Sequence, residues 1–250
     1  MSLARPVIGI IPAAGRATRL PNRDCSKELV PVGSRPISEY LVDAMVDAGA
    51  ERICIVVAPD KIDIRRFYGS GERHGVPITY FYQQKPTGMS DAIDLAFEEL
   101  HDATVLMGMP DTIVRPASSL RLIHELLGRT AADLALAVAP TDDPCRLGPV
   151  NVADDGRVLE IFDKPLIAPH DRVWTVACWS PRFTQFLHNY LRDHSRAISE
   201  APLGLIMQAA VERNCNVRAL VFGDGRYIDA GTSDGLATAR GFVESESARV

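Results

Sequence analysis

Four groups of residues in this chain carry side chains suited to phosphate, a divalent cation and a flat ring. The first is the stretch PAAGRATRL at 12–20, followed at 26–32 by SKELVPV. Small residues there would let backbone N–H groups approach phosphate oxygens, and Arg19 and Lys27 are the cations expected over them. Two familiar phosphate patterns are absent. GxxxxGK with Ser or Thr does not occur, and GxGxxG fails because Ala13 and Ala17 stand among the small residues.

The second group is a pair of aspartates, Asp111 after VLMGMP and Asp229 after Tyr227-Ile228. Carboxylates at the ends of apolar runs could share a Mg²⁺, an ion that takes few carboxylates together with phosphate oxygens. The third is QQKPTG at 83–88. A Gln amide, from Gln83 or Gln84, offers a donor beside an acceptor and so suits the imide edge of uracil or thymine, with Gly88 leaving room for the ring. The fourth is Asp163-Lys164, where the lysine could hold a phosphate and the acid a sugar hydroxyl. Taken singly, each group is explained as well by turn, cap or surface chemistry.

The elements that would position these residues follow from periodicity. Apolar runs at 7–12, 53–58, 78–82, 103–107 and 134–139 read as buried strands. Helical spacing lies between them at 37–48 (ended by Gly49), 62–68, 117–129 and from an N-cap at Ser90 through Leu100. This alternation predicts an α/β fold, a Rossmann-like layer with a mixed, mostly parallel sheet flanked by helices. The later part is more mixed. Asp155-Gly156 suggests a two-residue hairpin between 150–152 and 158–162, followed by a strand at 173–179 and helices at 181–194 and 203–213. Strands at 217–222 and 227–229 precede a closing helix at 232–243, beyond which 244–250 is expected to fray. One domain over 1–250 is expected, with a nucleotide half to about 140 and a second half from 141 to 243.

Bulk properties narrow the partners. A chain of 250 residues with 46% hydrophobic residues can bury a sizeable core. Its net charge of −5 offers no basic face for nucleic acid. No apolar run is long enough for a membrane span and no signal-peptide pattern opens the chain, so a cytoplasmic protein is expected. Cys25, Cys54, Cys145, Cys178 and Cys215 are scattered, with no CxxC spacing and no histidine partnering Cys25.

In order, PAAGRATRL, SKELVPV, QQKPTG, GMPDT, FDKP and YIDAGTSDGL resemble the motif series of the sugar-nucleotide pyrophosphorylases, the sugar-1-phosphate nucleotidyltransferases. The likeness runs from Val7 to Arg240 and is greatest to the glucose-1-phosphate thymidylyl- and uridylyltransferases. It implies transfer of a nucleotidyl group from a pyrimidine triphosphate, dTTP or UTP, to a sugar 1-phosphate with Mg²⁺ as cofactor. It further implies a phosphate loop at Ala14, Gly15 and Arg16, and catalytic Arg19 and Lys27. Base-reading residues would be Gln83 and Gly88, with Gln84 adjacent. Metal aspartates would be Asp111 and Asp229, and Gly148, Asp163 and Lys164 would hold the sugar phosphate. A homo-oligomer is left open.

The chain departs from the family pattern at several places. Ala14 and Ala17 replace loop glycines, Arg16 replaces a small residue, and Asp163 is one methylene shorter than the usual Glu. Ala177 stands for a glycine, and Glu200–Leu205 lacks the usual acidic stretch. The implied reaction is in-line attack of a sugar-phosphate oxygen on the α-phosphorus, a step governed by positioning and preorganised charge. Two alternatives are a glycosyltransferase that uses a finished nucleotide sugar, against which stands the lack of a D-x-D at a strand end, and a non-catalytic nucleotide-sugar sensor.

Overall fold

The computed structural model describes residues 5–15, 25–194 and 200–248. Seven strands form the central sheet in the order β12-β8-β11-β6-β1-β4-β5. These are β1 (Val7–Ala13), β4 (Arg52–Val57), β5 (Ile78–Tyr82), β6 (Thr104–Met107), β8 (Leu134–Pro140), β11 (Arg172–Trp179) and β12 (Val217–Val221). Only β11 runs against its neighbours; the other pairings are parallel. Three two-stranded ladders flank the sheet: β2 (Pro31–Val32) with β3 (Arg35–Pro36), β7 (Thr112–Arg115) with β13 (Arg226–Asp229), and β9 (Val150–Val152) with β10 (Val158–Ile161). The helices are α1 (Ile37–Asp47), α2 (Ile62–Tyr68), α3 (Met89–Asp94), α4 (Phe97–Leu100), α5 (Ser119–Thr130), α6 (Pro181–His194), α7 (Leu203–Glu212) and α8 (Ser233–Ser247).

The sheet is apolar on both faces because parallel strands are covered on both sides. One layer packs Ile8, Ile10, Val105 and Met107 with residues of α3, α6 and α7. The other packs Ile11, Ile53, Ile55 and Leu106 with α1, α2 and α5. Both layers draw residues from before and after position 140. The parallel arrangement brings the carboxyl ends of β1, β4, β5 and β6 to one edge, where ligands bind in open α/β sheets.

Three expectations are corrected by local physics, and one unassigned segment is a strand. The helix expected from Ser90 to Leu100 starts at Met89 and breaks at Leu95-Ala96 into α3 and α4, and Ser90 is buried inside it with no partner for its hydroxyl among the described residues. The hairpin is not two-residue: residues 153–157 lie between β9 and β10, closed by Gly156 N–H to Ala153 C=O at 2.9 Å with Gly156 at φ +80°. Thr112–Arg115, to which periodicity assigns no element, is strand β7. Finally, the terminal helix continues to Ser247, because Arg115 grips Glu246 through two guanidinium nitrogens, Nε–Oε1 at 2.8 Å and Nη2–Oε2 at 2.5 Å.

Candidate active site

At the end of β1 the backbone carbonyl of Ala13 accepts from Lys61 Nζ at 2.7 Å, and the same ammonium pairs with Glu28 Oε1 at 2.7 Å. Glu28 is 1% exposed, and its Oε2 has no partner among the described residues. Burial pushes its carboxyl above the usual range, while Lys61 and Lys27 pull the other way. Just ahead of α2, Lys61 therefore links the end of β1 to the Ser26–Leu29 turn. Asp63 adds a second tie, accepting from Ser26 N–H at 2.6 Å and Ser26 Oγ at 2.7 Å. On the α1 side, Ser38 Oγ donates to the Glu28 carbonyl at 2.7 Å.

This turn presents Lys27. Its Nζ lies 2.5 Å from Asp111 Oδ2. Desolvation would lower its pKa, but the carboxylates of Asp111, Glu28 and Asp229 together outweigh burial and hold the ammonium above the ordinary lysine value.

The two aspartates meet through the ladder that the sequence did not reveal. In β7–β13, Asp229 stands opposite Thr112, and Ala230 N–H bonds the carbonyl of Asp111 at 2.9 Å. Asp229 does not cap α8; Thr232 does, accepting from Gly235 N–H at 3.1 Å, while Asp229 Oδ1 accepts from Gly231 N–H at 2.7 Å. Gly235 is required for this arrangement, since a Cβ there would lie 1.8 Å from the Asp229 carbonyl oxygen.

Gln83 is buried and Gln84 is exposed, so the structure separates the two adjacent glutamines. Gln83 Nε2 donates to the Gly88 carbonyl at 2.9 Å and to Thr87 Oγ1 at 3.3 Å. With both amide hydrogens engaged, its Oε1 is left as an acceptor. Gly88 sits at φ +113°, and a Cβ there would come within 2.6 Å of the Glu200 side chain.

Asp163 and Lys164 extend the β9–β10 ladder. Lys164 N–H bonds the Leu147 carbonyl at 2.9 Å, which brings both residues beside Gly148. Lys164 holds φ +44°, an uncommon conformation for a residue with a Cβ. Burial raises the pKa of Asp163, against the pull of Lys164.

Two cavities open at this edge and share a wall. One, of about 380 Å³, is lined by Ala14, Gly15, Gln83 and Gly88. The other, of about 560 Å³, is lined by Gly148, Asp163, Lys164, Trp174, Leu203 and Tyr227. Lys27, Met89, Met109, Asp111 and Glu200 line both. Asp229 lines the larger cavity only, and Gln84 lines neither. Arg16 and Arg19 lie outside the described residues.

Sequence reasoning missed Lys61, Arg146, Trp174 and Gly235. Arg146 sits two residues before Gly148 and lines the larger cavity, a nearness that was available as a signal. Ala177, compared above with a family glycine, is fully buried in the sheet opposite Met107 and lines neither cavity.

The donor set fits a magnesium ion. Two carboxylates are brought side by side, one already carries a cation in the form of the Lys27 ammonium, and both open onto space sized for phosphates. No group of three or more His, Cys, Asp or Glu side chains gathers among the described residues. Likewise, among those residues no helix is long and apolar enough to cross a membrane.

The chain is similar to several known proteins over most of its length. A glucose-1-phosphate thymidylyltransferase of Neisseria meningitidis is 25% identical over 245 residues, covering 95% of this chain and 82% of that one. A UTP–glucose-1-phosphate uridylyltransferase of Haloferax volcanii is 32% identical over 170 residues, 66% of this chain and 68% of its own. Among solved structures, a Bacillus anthracis chain crystallised with sucrose superposes with a TM-score of 0.85 at 24% identity, covering 94% of each chain, and shows the same fold. A UDP-glucose pyrophosphorylase bound to UDP-glucose gives 0.82 at 18% identity, over 96% of this chain and 99% of that one. The family described as nucleotidyl transferase matches residues 8–246. With its motifs in order and its charged residues gathered at one sheet edge, the chain belongs to the nucleotidyl transferase family.

Proposed function

We propose that the chain transfers a nucleotidyl group from a pyrimidine nucleoside triphosphate, dTTP or UTP, to a sugar 1-phosphate, giving a nucleotide sugar and pyrophosphate. The carrying observation is the pair of cavities that meet at Lys27 and Asp111. A two-substrate transfer needs two chambers whose shared wall is where the bond changes hands.

In this reading the smaller cavity takes the nucleotide. Gln83 Oε1 accepts from a ring N–H such as the imide N3–H of uracil or thymine, and the ring lies against Gly88. The donor and acceptor expected side by side on a glutamine reduce here to the acceptor alone, because Gly88 and Thr87 hold the donor. Ala14 and Gly15 line the phosphate approach, with Arg16 and Arg19 assigned there by their motif. The larger cavity takes the sugar 1-phosphate, with Lys164 and Arg146 at its phosphate, and Asp163 and Glu200 at sugar hydroxyls.

Catalysis then rests on placement. Lys27, held by the Ser26–Leu29 turn within reach of both chambers, neutralises charge between an attacking phosphate oxygen and the α-phosphorus. Asp111 and Asp229 would hold Mg²⁺, which when bound supplies charge neutralisation and orientation of the phosphates. No protein nucleophile is required.

Pyrophosphate release measured over a matrix of UTP, dTTP, CTP, ATP and GTP against several sugar 1-phosphates tests the assignment. Turnover confined to dTTP or UTP is expected. A purine preference would overturn the base assignment, and no release with any pair would overturn the reaction. A nucleotidyltransferase also forms triphosphate from pyrophosphate and nucleotide sugar, which a glycosyltransferase cannot do.

A further inference from the structure

We infer that Trp174 determines which acceptor the enzyme takes, by standing across Gly148 and limiting the acceptor chamber to sugar 1-phosphates without a bulky N-acyl group at that wall. This rests on the assignment of the larger cavity to the sugar 1-phosphate.

The placement of Trp174 depends on an irregularity in β11. Along this strand Ala177 and Trp179 face the layer of α6 and α7, while Val176 and Cys178 face the opposite layer. Strict alternation would carry Trp174 to the side of Val176 and Cys178, away from the acceptor chamber. The pairing with β8 shifts between Trp174 and Val176, however, so that Thr175 is an extra residue. Its hydroxyl is satisfied on the Ala137 carbonyl at 3.2 Å. The bulge reverses the parity and turns Trp174 onto the α6–α7 side, a known use of bulges beside sites.

There the indole interlocks with Gly148. The backbone N–H of Trp174 bonds the Gly148 carbonyl at 3.1 Å, which fixes the two residues side by side. A Cβ on residue 148 would lie 2.2 Å from the indole Nε1 and 2.6 Å from Cδ1. Residue 148 can therefore be glycine only while Trp174 keeps this pose. The side chain is 8% exposed, and its N–H has no acceptor among the described residues, a cost of burying an indole there. Apolar packing in the same layer offsets that cost, so burial alone does not reveal a role in selection. Lining the larger cavity beside Leu203 does: truncating the indole adds volume to that cavity.

The experiment compares glucose 1-phosphate with N-acetylglucosamine 1-phosphate, using the best triphosphate from the matrix above. kcat/KM is measured for the unaltered enzyme, Trp174→Phe and Trp174→Ala, with thermal melts of each. The unaltered enzyme is expected to favour the unsubstituted sugar by about tenfold or more. Trp174→Ala should shrink that ratio by about tenfold, mainly through the KM of the N-acetyl acceptor, and Trp174→Phe should fall between. The KM of the triphosphate should stay within about twofold, since the indole does not line the nucleotide cavity. An unchanged ratio in variants that melt cooperatively, or an unaltered enzyme that prefers the N-acetyl sugar, overturns the inference. If the alanine variant does not fold, the phenylalanine variant decides. Absence of pyrophosphate release with every acceptor would instead strike the reaction assignment itself.

Discussion

The two sides of the site are built on different principles. On the side proposed for the triphosphate the charged groups are tied to the frame: Lys61 joins Ala13 to Glu28, Asp63 holds Ser26 by two hydrogen bonds, and Lys27 lies on Asp111. On the side proposed for the acceptor Lys164 is exposed, Asp163 has only its neighbour's charge to oppose burial, and Arg146 reaches an exposed Asp143 at 3.5 Å. Beyond the wall shared through Lys27 and Asp111, it is lined from a bulged strand and a ladder extension rather than by further buried ion pairs. The triphosphate chemistry is common to any acceptor, so rigid placement serves it. The acceptor differs between enzymes of this kind, and loops and wall residues can change without disturbing the charged frame.

The largest effect should come from the wall that both chambers share. Asp111→Asn and Asp229→Asn keep size while removing charge, and each should lower kcat/KM on the order of a hundredfold or more with the fold intact. Near-normal turnover of both variants at saturating Mg²⁺ would remove the two-aspartate site from the account.

The frame itself is tested at Lys61. Lys61→Met leaves the Glu28 carboxylate buried without its ion partner, with an expected loss of about 3–5 kcal/mol in unfolding free energy. Adding Glu28→Gln should restore much of the loss, because the uncompensated charge is then gone. Additive losses in urea melts would mean that the pair is not the coupling it is taken for. By contrast Lys164→Ala, on the open side, should raise the KM of the acceptor about tenfold while leaving stability within about 0.5 kcal/mol. A stability loss as large as that of Lys61→Met would erase the contrast between the sides.

This contrast also explains how much the sequence revealed. The apolar runs of β1, β4, β5, β6 and β8 are legible because a two-face buried strand leaves a continuous hydrophobic run. Lys27, Asp111, Asp229, Asp163 and Lys164 are legible because each sits in a short motif, and the structure brings them around the two joined cavities. Strand β7 was not legible, since four residues starting at a threonine carry no clear period, and its partner β13 lies more than a hundred residues away. Lys61 was equally hidden: its ties to Ala13 and Glu28 span 48 and 33 residues. Nor can Trp174's orientation be read from alternation, because the bulge breaks the rule by which it would be read. Local patterns identified the chemistry; long-range pairing decided what holds it.

The smallest expected effect is the most specific to the frame, and it concerns Asp63. Burial would raise the pKa of this carboxyl, but the hydrogen bonds from Ser26 N–H and Oγ and from Ile64 N–H outweigh it and lower the value. Because the folded carboxyl binds its proton less readily than the unfolded one, stability rises with pH through the aspartate range. The contribution is complete above the unfolded pKa, about 3.9 for an aspartate, and is lost as pH falls through the lowered folded pKa. Asp63→Asn cannot carry that charge and retains at most one acceptor for two donors on Ser26. The variant should be less stable than the parent near pH 7, and the two urea midpoints should converge as the pH is brought from about 6 to about 3. Since the Ser26 turn carries Lys27, kcat/KM at neutral pH should fall by a few-fold, with acceptor selectivity unchanged. Midpoints that keep a constant separation over the whole pH range would show that the Ser26 contacts do not depend on the aspartate's charge, and the triphosphate side would then owe its rigidity to Lys61 and Glu28 alone.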